Sequence, residues 1–206
     1  MFRRLLNAIR YRARLLPTLP IRRRLGQQVR ALDDAGFAFI SNNCLAGQLY
    51  EMAGRPKSTP TAGLYFTGDS YARFLEDISD GHATSWDRID PDQMTRHHQQ
   101  HCAMLRTGEA SGVVFLHYPE PEVAARKWNS RFPRLAGREK IVIASLRDGI
   151  AESMLDRAKT RYRHFYVAGP APALPADEFV LDRKSLSGLS AFLDDVLAMG
   201  REAARR

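Results

Sequence analysis

Residues 37–47 (FAFISNNCLAG) constrain the fold of this chain more than any other stretch. Phe37, Ala38, Phe39 and Ile40 form an uncharged apolar run ended by small polar residues. That is the pattern of a strand buried on both faces of a parallel sheet. Ser41, Asn42 and Asn43 favour turns and helix N-caps, so the strand stops there. From Cys44 onward Leu45, Leu49, Met52 and Ala53 recur at helical spacing, and Gly54 with Pro56 ends the helix. A thiol therefore stands where a buried strand hands over to a helix N-terminus. In open α/β sheets ligands bind at that carboxyl end of the strands. The helix end adds unpaired N–H groups and a partial positive charge, which hold anions and lower a thiol's pKa. The competing reading is that Cys44 is a small buried hydrophobe, a common fate of free cysteine.

Four further stretches read as strands: residues 62–66, 113–116, 140–146 and 164–168, with a short last one at 179–181. Helical patterns follow at 70–78, 91–105, 120–131, 150–159 and 185–198. The alternation predicts a three-layer, Rossmann-like α/β domain with a mostly parallel sheet of about five strands. His117 and Asp148 each fall just past a predicted strand, as Cys44 does, so one end of the sheet gathers all three. No internal repeat, GxGxxG, Walker loop or GxSxG elbow is present.

The net charge of +8 is concentrated at one end. Residues 1–30 hold nine arginines and no acid, leaving the remainder at a net −1. The expected division is a basic amphipathic arm, residues 1–33, ahead of a single nearly neutral α/β domain, residues 34–206. Within the arm Phe2, Leu5, Leu6, Ile9, Ala13 and Leu16 share one helical face. After Pro17 and Pro20 a second stripe runs through Ile21, Leu25, Val29 and Leu32. Three uses fit such a stripe: docking on an anionic membrane surface or a partner, packing on the domain, or nucleic-acid binding. Nucleic acid is the weakest, because no aromatic residues interleave for base stacking and the domain has no basic cleft. Two cysteines in unrelated contexts point to a reducing cytoplasm rather than a disulfide framework. No apolar run approaches the roughly 18 residues that span a bilayer. A cytoplasmic location, peripheral on the inner face of the plasma membrane, is the expectation.

His97 and His101 are four apart within the predicted helix at 91–105 and can face one way, a spacing that suits a shared metal. HHxxH lacks the glutamate of the zinc peptidases, however, and Gln and Arg surround it as on a solvated face. We expect no metal site.

Taken together, FISNNCLAG, PTAGLYF, FLHYPEPEVAARKWNSR and SLRDG, in that order, resemble a bacterial exopolysaccharide and capsule biosynthesis family over roughly residues 36–185. Leu45-Ala46-Gly47 stands where relatives often carry a glycine-richer run. Family members are described as acyl- or acetyltransferases that decorate polysaccharide, and more distantly as coenzyme A binders. The resemblance implies a transferase using acetyl-CoA or another acyl-CoA as co-substrate, with no tightly bound cofactor, on a saccharide or lipid-linked glycan acceptor. It implies catalytic roles for Cys44, His117 and Asp148. Ser41, Asn42, Asn43 and Gly47 would cradle an oxyanion or pyrophosphate, Lys127 and Arg131 would neutralise phosphates, and Trp128 would stack on an adenine or sugar ring. A nucleotide-sugar-dependent glycosyl- or group transferase is one alternative, and a non-catalytic scaffold of the assembly machinery is another.

Overall fold

The structure is a computed structural model that describes residues 16–80, 93–97, 100–118, 120–146, 149–168 and 183–203. A 3-10 turn (Leu16–Thr18) opens helix α1 (Leu19–Asp34), and strand β1 (Phe37–Ser41) follows. Helix α2 (Leu45–Met52) starts directly after the SNNC turn. Later come β2 (Tyr65–Thr67), α3 (Ser70–Ser79), β3 (Gln93–His97), β4 (Gln100–Arg106) and β5 (Gly112–Phe115). The chain continues through α4 (Pro121–Arg131), β6 (Glu139–Ser145), α5 (Asp156–Arg161), β7 (His164–Ala168) and α6 (Arg183–Ala203).

All five residues of β1 are buried, as an apolar run in a parallel sheet requires. β1 pairs in parallel with β6, and β6 with β7, in the order β1-β6-β7. Alternate residues of these strands serve two cores. Phe37, Phe39, Ile141 and Ile143 pack with Leu25, Val29 and Leu32 of α1, Leu45 and Leu49 of α2, and Leu186, Leu189 and Leu193 of α6. Ala38, Ile40, Val142 and Ala144 face Phe66, Tyr71, Phe74, Phe115 and Trp128. Tyr71 lies under the sheet and donates toward Ile40 O and Ile143 O, at 3.3 and 3.2 Å.

The fold is thus mixed α/β, with three parallel strands rather than about five. The stretches read as strands at 62–66 and 113–116 become β2 and β5, which pair antiparallel in a second sheet of order β2-β5-β4-β3. The cause is local at β2: Gly63 sits at φ +83, which breaks the extended chain, so the strand starts only at Tyr65. The helix expected at 91–105 is instead the hairpin β3–β4. Its residues lean helical, since Gln, Met, Ala, Leu and Arg are among the better helix formers, and pairing of β4 with β5 overrides that preference. In the hairpin His97 lies opposite Gln100 and His101 opposite Arg96, so the four-residue helical spacing that suggested a shared metal does not exist. Among the described residues no group of three or more His, Cys, Asp or Glu side chains is placed to hold a metal.

The second arm stripe also resolves. Leu25, Val29 and Leu32 are buried, Gln28 donates to Ser190 O and Asp194, and Ser190 Oγ donates back to Gln28. α1 is therefore a layer of the body, and the boundary expected at residue 33 falls inside it. Residues 1–15 and 169–182, with the strand expected at 179–181, lie outside the described residues.

At the amino ends of the parallel strands a half-open cleft of about 550 Å³ is lined by Leu32, Phe37, Glu139, Arg163, His164 and Val196, among others. His164 is 2% exposed and lies 2.9 Å from a Glu139 carboxylate oxygen through Nε2. Burial pushes its pKa below the ordinary value, against the weaker pull of Glu139. The folded imidazole is therefore neutral where the unfolded one already binds a proton. Its contribution to stability is fully present above about pH 6.5, the unfolded value, and is lost as pH falls through the depressed folded pKa. Urea midpoints measured from pH 7.5 down to 5 should fall, and His164→Gln should flatten part of that slope. An unchanged slope in the variant would contradict the assignment.

Candidate functional site

The turn after β1 is built from its own polar side chains. Ser41 Oγ donates to Asn43 O at 2.6 Å and accepts the Ala46 N–H at 2.8 Å. Asn43 Oδ1 accepts the Leu45 N–H at 3.0 Å. Two of the donors that a helix N-terminus leaves open are thereby used internally. Asn42 Nδ2 donates to Ser145 O, and Asn42 Oδ1 accepts the Ser145 N–H, both at 2.8 Å. The amide thus prolongs the β1–β6 pairing by one step beyond Ser41. Asn42 O accepts the Phe66 N–H at 2.9 Å, which ties the second sheet to the first. Ser41, Asn42 and Asn43 are all buried, and Asn43 Nδ2 has no hydrogen-bond partner among the described residues. Gly47 serves close packing: a Cβ there would stand 3.0 Å from Ala62 Cβ.

These bonds fix Cys44 at the N-cap of α2. The thiol is 9% exposed, with Leu64 O at 3.7 Å and His117 Nε2 at 3.9 Å from Sγ. His117 itself is exposed. Among the described residues, Leu64 O and His117 Nε2 thus compete for the thiol proton. A carbonyl holds it on sulfur, whereas an imidazole takes it and leaves a thiolate, the form that attacks electrophiles. The helix N-terminus favours the second outcome. Cys102 is a contrasting thiol: it is buried and lies 3.7 Å from Leu116 O.

The segment before β2 holds the group together. His117 N–H donates to Gly63 O at 3.3 Å, and Tyr118 OH donates to Ala62 O at 3.0 Å. Arg131 Nη1 donates to Tyr118 OH at 2.8 Å and to Ala62 O at 3.3 Å. Three successive carbonyls, 62 to 64, thus anchor Arg131 with Tyr118, then His117, then Cys44. A Cβ on Gly63 would lie 3.0 Å from the Tyr118 hydroxyl and 3.4 Å from His117 Cδ2, and the positive φ bars other residues besides.

The structure therefore brings Cys44 and His117 together from the ends of strands in different sheets, and Arg131 bonds to Tyr118, the residue after His117. Asp148 lies outside the described residues. Lys127 is exposed on α4, one turn before Arg131. Trp128 does not reach the site. It is 1% exposed, stacked on Phe132 and met edge-on by Phe66, Phe74 and Phe115, so ligand stacking gives way to core packing. Sequence reasoning missed Gly63, Tyr118 and Ser145. Tyr118 directly follows His117 in FLHY and was within reach of that motif, whereas nothing local marks Ser145 as the partner of Asn42.

A family model described as a domain of unknown function (DUF1919) matches residues 21–161, and no curated protein matches the chain.

Proposed function

We propose that this chain, which belongs to the DUF1919 family, is a group-transfer enzyme in which Cys44 is the nucleophile and His117 its base. The observation that carries this reading is the 3.9 Å approach of Cys44 Sγ and His117 Nε2, two residues 73 apart in sequence. The transferred group in this reading is an acyl or acetyl unit from a coenzyme A thioester, and the acceptor a hydroxyl of an exopolysaccharide or capsule precursor. His117 takes the Cys44 proton, and the thiolate attacks the thioester carbonyl. The bond from that carbon to Cys44 forms, its bond to coenzyme A breaks, and the released thiol leaves with the proton from His117. A sugar hydroxyl then attacks the acyl group, giving up its proton to His117, which returns it to the Cys44 sulfur as the ester departs. Asn42 acts here as a positioning residue, because both ends of its amide are already engaged.

Incubation with acetyl coenzyme A in the absence of acceptor should add one acetyl group to Cys44, located by peptide mass spectrometry and missing in Cys44→Ser. A folded sample that binds acetyl coenzyme A but leaves Cys44 unmodified overturns the covalent route. The small exposure of the thiol and its contact with Leu64 O favour a second reading, a scaffold that has kept the fold. Binding of neither acetyl coenzyme A nor nucleotide sugars by the folded protein would select it.

Residues 1–15 carry five arginines and no acid, and they join the body at the turn before α1. In this proposal they dock the protein on anionic lipid, where lipid-linked acceptors are displayed. No helix among the described residues is long and apolar enough to cross a membrane. A deletion reaching residue 30 would strip Leu25 and Val29 from the core, so any test of docking must cut before Leu16.

A further inference from the structure

Arg131 is partly buried, and both of its hydrogen bonds run through Nη1 to neutral oxygens, Ala62 O and Tyr118 OH. Guanidinium carries five N–H donors, so most of its donating capacity is unused by the described residues. None of the described carboxylates forms an ion pair with it. A cation drawn partly out of water without an anion pays a desolvation cost that a bound anion offsets. Tyr118 and Ala62 fix the planar fork in place, which suits bidentate recognition of a carboxylate or phosphate.

Its position relates it to the thiol. The Tyr118 hydroxyl that clasps Arg131 and the His117 ring that faces Cys44 both lie within 3.4 Å of the point where a Cβ on Gly63 would stand. Lys127, four residues earlier on α4, adds a second cation on the same helix face.

We propose that Arg131 is the anion-recognition residue of the Cys44–His117 site, and that the substrate presents a phosphate or a carboxylate to it while its reacting carbon meets the thiol. The proposal rests on the reading of Cys44 and His117 as nucleophile and base.

The test uses the full-length protein and two reagents that differ in charge. Iodoacetate and iodoacetamide both alkylate a thiolate by the same displacement, forming the S–C bond as iodide leaves. At Cys44 the ratio of iodoacetate to iodoacetamide rates should exceed that of free cysteine on the order of tenfold, the effect of one nearby charge on an anionic reagent. Arg131→Met should bring the ratio of the two rates down to that of free cysteine, whatever the change in thiolate reactivity that both reagents share. A clamp with a purely structural role would slow both reagents alike. Inorganic phosphate and acetate, compared at equal ionic strength, identify the preferred anion by which one slows iodoacetate more, and slowing by neither overturns the proposal. A wild-type ratio equal to that of free cysteine also overturns it, whether or not the variant folds. If iodoacetamide reacts normally in that case, the nucleophile reading survives. A Cys44 inert to both reagents overturns the two readings together.

Discussion

An Asn42→Ala variant is expected to lose about 2–5 kcal/mol of stability, more than most single substitutions cost. The amide makes two 2.8 Å bonds to the backbone of Ser145, and both residues are buried. Truncation leaves the Ser145 N–H and C=O without those partners, at about 1–3 kcal/mol for each buried group, and opens a small void as well. The damage should not stay local. Asn42 O also accepts the Phe66 N–H, so the same residue joins the parallel sheet to the antiparallel one next to the turn that sets Cys44. Asn42→Asp should be no milder. It keeps the acceptor for Ser145 N–H but turns an anionic oxygen toward Ser145 O, and a buried charge without a partner is costlier than a missing bond. Urea denaturation of the two variants gives both values. A loss below about 1 kcal/mol for Asn42→Ala would mean that the strand ends do not depend on the amide.

What the sequence made legible follows from where the information lies. β1 and the start of α2 could be read because an apolar run, a polar stop and a helical repeat occupy adjacent residues. The placement of Cys44 at the N-cap came with them. Asn42 could not be read as the partner of Ser145, because 103 residues separate the two and nothing in either segment encodes the match. The hairpin β3–β4 escaped for a related reason. Residues 93–106 are rich in Gln, Met, Leu and Arg, whose own preferences lean toward helix, and pairing with β5 overrides them. The stripe of Leu25, Val29 and Leu32 was visible, but an apolar helix face buries equally well in lipid or in a core. Only the presence of Ile141, Ile143 and α6 on its other side decides. Trp128 fails in the same way: its spacing on α4 fixes a face, and the aromatic neighbours that enclose it come from Phe66, Phe74 and Phe115 far along the chain. His117 was expected just past a strand, and it lies in the turn that follows β5. That strand belongs to the second sheet, and the meeting with Cys44 runs through the carbonyls of Gly63 and Leu64.

The second large effect concerns the pairing itself. An ordinary thiol titrates near pH 8.5, so without help its alkylation is slow at pH 6.5 and climbs steadily toward pH 9. A thiol that gives its proton to an adjacent imidazole, at a helix N-terminus, keeps its reactivity well below that range. Cys102 provides the internal reference, since it has a carbonyl neighbour of the same kind at the same 3.7 Å. His117 is exposed, so its removal should disturb the fold little, and the thermal midpoint of His117→Ala should confirm that. The deciding measurement is the rate of Cys44 alkylation by iodoacetamide from pH 5.5 to 9, followed residue by residue with mass spectrometry, in the wild type and in His117→Ala. The nucleophile–base pairing predicts rapid labelling of Cys44 at pH 6.5 with Cys102 lagging, and a fall on the order of tenfold or more in the variant as its profile moves to that of an ordinary thiol. Superimposable profiles for the two proteins, or Cys102 labelled as fast as Cys44, would contradict it.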